Sequence, residues 1–408
     1  MSNSINKLDY IPGLDGIRAL AAFLVISTHW PNNSISLKFG WIGVNIFFVL
    51  SGFLITRILV NEKSKDFKPY IRNFFFKRAL RILPIYYLFF LVTTLIILFT
   101  YWFIPVLSHN EVILSAINSI KYDLPAYLTF TFNTKLNLAY FFNWHISSNH
   151  FSGHVWSLAV EEQFYLIFPF IVYFSDTRTL KKIIISIIII CPLMRLWAAI
   201  VGVHLVTNSY WLGEFFYTNT FCQADALATG ALLALFPIKI RFPYLNFFIV
   251  LTICIAVGLT CLFFLRKAGY FLVAGKSLGF DFPGYWFVEK TSWFFINIRA
   301  FYQYTLVNLF AFVLIAPAIV KKPIFPSIFT SKPIIYLGKI SYGIYLFHSP
   351  ILAFFMLAAT FFGGWVIITS NPVIDLCFFI VYLAIVIIMA HLSYKYFERR
   401  LINKYADK

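Results

Sequence analysis

Arg18 and His29 stand eleven residues apart in the first apolar run of the chain. At 100° per residue that spacing returns almost to the same helical face, and at 1.5 Å per residue it spans about 16 Å. A guanidinium binds phosphate. An imidazole titrates near neutral pH and can take a proton from an attacking hydroxyl. On one face, the two describe a groove for an extended anionic molecule whose reactive end meets the ring, and coenzyme A has that shape. The spacing is equally satisfied by an Arg18 that snorkels to lipid headgroups and a His29 that rests at the interface. Asp15, three residues before Arg18, is placed to pair with it.

More ionisable residues stand in apolar runs: Glu161, Glu162, Arg195, Asp225, Arg299 and His348. Each is costly in hydrocarbon, so such groups line a cavity or pair with one another. A scaffold has no use for so many, whereas an enzyme or a transporter does. In Lys77-Arg78-Ala79-Leu80-Arg81, followed by Pro84, two guanidinium forks stand three residues apart on one face and suit phosphate groups. Basic residues at a cytoplasmic helix entry also serve as anchors without any ligand. In the Phe39–Leu54 run the glycines permit close helix packing, and Asn45 and Ser51 are placed to add hydrogen bonds within the groove.

These residues need membrane-embedded helices to hold them. Of 408 residues, 61% are apolar and 12% charged, about half the charge of a soluble domain. One water-soluble core could not hide 50 Phe, 24 Tyr and 10 Trp, and the same content excludes disorder. The expected fold class is an all-α polytopic membrane helix bundle forming a single domain over 1–408. About ten transmembrane helices of roughly 20 residues are expected near 14–30, 41–60, 82–105, 156–174, 183–203, 220–237, 243–264, 293–320, 335–358 and 373–394.

The net charge of +17 sits between apolar runs, which points to a lipid bilayer and not to nucleic acid. Its heaviest cluster lies between Arg57 and Arg81, and every second connection repeats the bias, which puts both termini in the cytoplasm. A full span within 106–155 would turn the later clusters outward, so an interfacial or re-entrant segment is expected there. Cys191, Cys222, Cys254, Cys261 and Cys377 lie in or beside apolar segments without metal spacing and read as reduced, and no metal is expected. The N-terminus lacks the basic start of a cleaved signal peptide.

The wording of several stretches is specific. Leu14-Asp15-Gly16-Ile17-Arg18-Ala19-Leu20-Ala21-Ala22 with His29, and the second-helix run ending Leu50-Ser51-Gly52-Phe53-Leu54, resemble acyltransferase family 3, the bacterial membrane acyltransferases of surface glycans. Arg78 to Pro84, Trp156-Ser157-Leu158-Ala159-Val160-Glu161-Glu162-Gln163-Phe164-Tyr165 and Ser341-Tyr342-Gly343-Ile344-Tyr345-Leu346-Phe347-His348 resemble three further motifs of that family, in the same order. The Asp225 segment has Gln223 where relatives often have Arg, and Glu398 is followed by Arg399 where many have Pro, so neither neighbourhood takes a site role.

The resemblance implies an O-acetyltransferase of the bacterial inner membrane. It implies acetyl-CoA as the cytoplasmic acyl donor and a carbohydrate acceptor approached from the other side. His29 matches the essential histidine, Arg18 its partner, and Arg78 and Arg81 the pair associated with coenzyme binding. Glu161 or its neighbour Glu162 is expected to orient His29 or bind the sugar, with Asp15, Asn45, Ser51 and His348 in support. Many relatives append an extracytoplasmic domain, and its lack here favours a lipid-linked sugar or lipopolysaccharide O-antigen as acceptor over peptidoglycan. The rival class is a transporter or flippase of an anionic or glycolipid solute. It predicts two corresponding halves, which the sequence does not display.

Overall fold

The computed structural model describes residues 9–32, 35–37, 39–142, 150–205, 209–235, 293–319, 327–361 and 371–405. The span expected at 243–264 and the side chain of Arg299 lie outside them. Regular structure among the described residues is helical throughout: α1 (Pro12–His29), α2 (Ile42–Glu62), α3 (Phe67–Phe103), one turn α4 (Pro105–Ser108), α5 (Glu111–Leu128), α6 (Phe132–Phe142), α7 (Trp156–Phe174), α8 (Thr177–Leu205), α9 (Ser209–Thr218), α10 (Thr220–Leu235), α11 (Trp293–Ile319), α12 (Lys332–Lys339), α13 (Ser341–Phe361) and α14 (Pro372–Ser393). The last continues through a π-helical turn, Tyr394–Glu398, into α15 (Arg399–Tyr405).

Seven of the described helical stretches are long and apolar enough to cross a membrane, in α2, α3, α7, α8, α11, α13 and α14. Neither α5 nor α6 is among them. The turn between these two helices holds Phe130 at φ 54°. That strained conformation is secured by stacking of the ring on Tyr86, at 4.4 Å, and by Gln163 Nε2, which donates to the Phe130 carbonyl at 2.9 Å. α1, of 18 residues with Asp15 and Arg18 among them, and α10, of 16, are not among the seven either, and their setting suits that. Both are wrapped by other helices, with most residues of α1 and ten of α10 buried. A helix sheathed in protein can carry Asp15, Arg18, His29 or Asp225 without facing lipid.

The α2–α10 pair crosses closely. A Cβ on Gly52 would lie 1.9 Å from the Leu227 carbonyl, and one on Gly230 would lie 1.9 Å from the Val49 carbonyl. Only glycine lets these backbones touch, so packing is the task of Gly52. Two expected helix limits move. α3 begins at Phe67, fifteen residues before the expected start, because the basic stretch is itself helical. Its 37 residues measure about 55 Å, well beyond the roughly 30 Å of hydrocarbon, and the excess carries Lys68, Arg72 and Lys77. Arg78 and Arg81 therefore stand inside a continuous helix and not at its entry. The expected 335–358 span is two helices, α12 and α13, divided at Ile340.

Asn45 is corrected in position. It is fully buried where α2 meets α10 and α11, and its Nδ2 donates to Gln223 Oε1 and to Asn308 Oδ1, both at 3.1 Å. It ties helices together and does not enter the groove. Beside it, Arg195 of α8 and Asp225 of α10 form a buried ion pair at 2.7 Å. The Arg195 guanidinium also donates to Thr305 at 3.1 Å and to the Cys222 carbonyl, and lies 5.2 Å from the Tyr304 ring centre.

Candidate active site

α1, α2, α3, α7 and α13 converge on a cavity of about 110 Å³. By the space a single water needs, that is room for several waters or a short acyl group, far less than a whole coenzyme. Arg18, Ser51, Arg78, Arg81, Glu161 and Tyr165 line it, with Ser157 and Tyr345 at the α7–α13 seam. The helical repeat does the gathering. Ser157, Glu161 and Tyr165 are four apart on α7, and Arg78 and Arg81 three apart on α3, so each set shares a face.

The charges within this lining are unevenly matched. Arg18 Nη1 bridges Asp15 at 3.0 Å, and Asp15 also accepts from the Tyr10 hydroxyl at 2.6 Å. Glu161 accepts from the Ser51 hydroxyl at 2.5 Å and from Tyr165 at 3.2 Å. The Arg78 guanidinium stands 5.4 Å from the Tyr165 ring centre. Among the described residues, no carboxylate forms an ion pair with Arg78 or Arg81. Arg78 is half-buried and Arg81 exposed. Two guanidinium groups without direct counter-ions at the rim of a cavity make an anion site.

His29 does not line the cavity. It ends α1, half-buried, and its ring centre lies 4.9 Å from that of His348, at an interplanar angle of 67°. His29 Nδ1 is 2.7 Å from the Val25 carbonyl. A carbonyl only accepts, so Nδ1 carries the proton of the neutral ring and Nε2 keeps its lone pair. The neighbouring Trp30 anchors this end of the helix: its indole donates to Asp375 at 2.9 Å, and its ring stacks on Tyr382 at 5.5 Å.

Of the expected site residues, the structure brings Arg18, Arg78, Arg81, Ser51 and Glu161 to one cavity, with Asp15 behind Arg18, and sets His29 and His348 together outside its lining. No hydrogen bond or ion pair joins Glu161 to His29. Glu162 is half-buried and outside the lining. Sequence reasoning passed over Ser157, Tyr165 and Tyr345, although four-residue spacing from Glu161 and three-residue spacing from His348 mark them. It also passed over His154, in the turn Gly153–Val155 before α7, whose ring centre lies 4.7 Å from that of His348. No spacing signal identifies His154.

Residues 11–391 match the model of the acyltransferase domain family, which is nearly the whole chain. The chain belongs to this family. As a member of the acyltransferase domain family it is similar to O-acetyltransferase OatA of Staphylococcus aureus, 29% identical over 407 residues, covering 97% of this chain and 58% of that protein. It is likewise similar to peptidoglycan O-acetyltransferase OatA of Listeria monocytogenes, 29% identical over 354 residues, covering 84% of this chain and 49% of that one. The chain thus spans about half the length of the curated relatives it matches. No solved structure matches it.

Proposed function

We propose that this acyltransferase is a multi-pass O-acetyltransferase of the bacterial inner membrane that moves an acetyl group from cytoplasmic acetyl-CoA to a sugar hydroxyl of a cell-surface glycan. The observation that carries this reading is the cavity, with guanidinium groups lacking ionic partners on one side and a partner-free imidazole nitrogen beyond the other. Both termini are cytoplasmic on the charge bias, which sets the Arg78–Arg81 rim at the donor's side.

Arg78 and Arg81, with Arg18, hold the donor's phosphates at the rim, and the small cavity admits the thioester end. Their contribution is to fix position. The acceptor oxygen attacks the thioester carbonyl as His29 Nε2 removes its proton, and the thiolate leaves and is reprotonated. Glu161, held by Ser51 and Tyr165, shares the lining with the arginines.

The names of the relatives make peptidoglycan the first acceptor to examine, with lipopolysaccharide O-antigen second. Mass and NMR comparison of both glycan fractions, from cells with and without the protein, tests the acceptor: O-acetyl groups lost from one fraction support the reading, and unchanged acetylation of both contradicts it. The donor half is tested on detergent-solubilised protein. Acetyl-CoA binding and thiol release are expected, and a transporter or flippase shows neither.

A further inference from the structure

His154 has no assigned task. Its turn is fixed by backbone contacts alone: Tyr345 Oη donates to the His154 carbonyl at 2.9 Å, and Ser349 Oγ donates to the His150 carbonyl at 2.5 Å. The imidazole takes no part in this. It is 6% exposed, and neither ring nitrogen makes a hydrogen bond of full geometry, the Leu346 and Tyr345 carbonyls being the polar groups that act on it. Burying ring nitrogens without a full hydrogen bond is unfavourable, and a phenylalanine would fill the same space without that cost.

The ring has company of the same kind. His348 is fully buried, with its Nδ1 2.5 Å from the Tyr345 carbonyl. By the carbonyl argument used for His29, Nδ1 bears the hydrogen and Nε2 the lone pair, and Nε2 lacks a partner. His154 and His29 pack edge to face on either side of His348, at 4.7 and 4.9 Å. Three elements distant in sequence therefore deliver three imidazoles to one place, and no carboxylate is bonded to any of them among the described residues. Tyr345, which lines the cavity, lies 5.4 Å from His154 and 5.5 Å from His348 and so joins the group to it.

We propose that His348 and His154 act with His29 as one proton-holding unit for the acyl transfer described above, on which this inference rests. As the acceptor's C–O bond forms and the thioester C–S bond breaks, the hydroxyl proton passes to His29 Nε2. The ring nitrogens of His348 and His154 share that proton, and it returns to the departing sulfur. Nothing is oxidised or reduced, and the net change is one proton moved from oxygen to sulfur. Without a carboxylate to trap the charge, the protonated state is brief, which favours its return. His348 and His154 are positioning residues here, because they act through His29.

The test uses purified full-length protein and thiol release from acetyl-CoA. His154→Phe keeps the ring and removes its nitrogens, so kcat should fall by about tenfold or more with KM for acetyl-CoA within about twofold, and His154→Gln should recover part of the loss. His348→Phe should cost about 100-fold in kcat with the same unchanged KM. A His154→Phe enzyme at wild-type kcat, or a Gln variant no better than Phe, overturns the proposal. Single-turnover thiol release by the wild type should be at least about twofold slower in D2O. Equal rates overturn the proposal, even where a Phe variant fails to fold. If the wild type releases no thiol at all, the acyl-transfer reading fails first, whereas a turning-over wild type matched by His154→Phe defeats this inference alone.

Discussion

Two arginine clusters in this bundle put the same side chain to opposite uses. Arg195 is fully buried and bonded to Asp225, Thr305 and the Cys222 carbonyl, over the face of Tyr304. Arg78 and Arg81 are more accessible, face a cavity, and have no carboxylate in contact. The clusters differ in partnering as well as in burial. A cluster paired within the chain holds helices together, and one without a carboxylate in contact is open to an anion.

This contrast can be broken by experiment. The largest effect is expected at the closed cluster: Arg195→Ala leaves Asp225 buried and unpaired, which costs about 3–5 kcal/mol. Thermal unfolding of the detergent-solubilised variant should show a sharply lowered Tm, and an unchanged Tm would mean that the pair is not structural. The open cluster should behave in reverse. Arg78→Ala with Arg81→Ala should weaken acetyl-CoA binding by about 10- to 100-fold through two lost charge-assisted contacts, read by titration, while Tm stays within a few degrees. A double variant that loses stability and keeps donor affinity would erase the distinction. The smallest effect is expected at Ser51→Ala. It removes one of two hydroxyls on Glu161, at about 1 kcal/mol, and should lower thiol release by about fivefold with full folding. Loss comparable to the arginine double variant would assign Ser51 a direct part in donor binding.

The helical membrane bundle was legible from composition, and the site's charged members from their cost in hydrocarbon or their spacing. Arg18, Glu161 and His29 each stand where an ionisable group inside a span has to be explained, and Arg78 and Arg81 share one helical face by their three-residue spacing. Less was legible where the physical signal is symmetric. α2 is apolar on nearly every face, so its pattern does not say which side meets α10, and Asn45 consequently turned out to bond Gln223 and Asn308. The start of α3 was hidden because a span is recognised by apolar residues, whereas the helix continues as a charged rod beyond them. The division at Ile340 lies within a stretch that stays apolar on both sides. His154 sits in a three-residue turn, where no helical period relates it to His29 or His348, and only the fold brings them together.

The central claim is that the Nε2 lone pair of His29, freed by the Nδ1 contact with the Val25 carbonyl, takes the proton in acyl transfer. It is tested most directly by His29→Ala in purified protein, with acetyl-CoA binding and acetyl transfer measured on the same preparation. Donor affinity should stay within a few-fold of wild type while the transfer rate falls by about 10²- to 10⁴-fold. Transfer at a near wild-type rate by a variant that still binds acetyl-CoA would contradict the account.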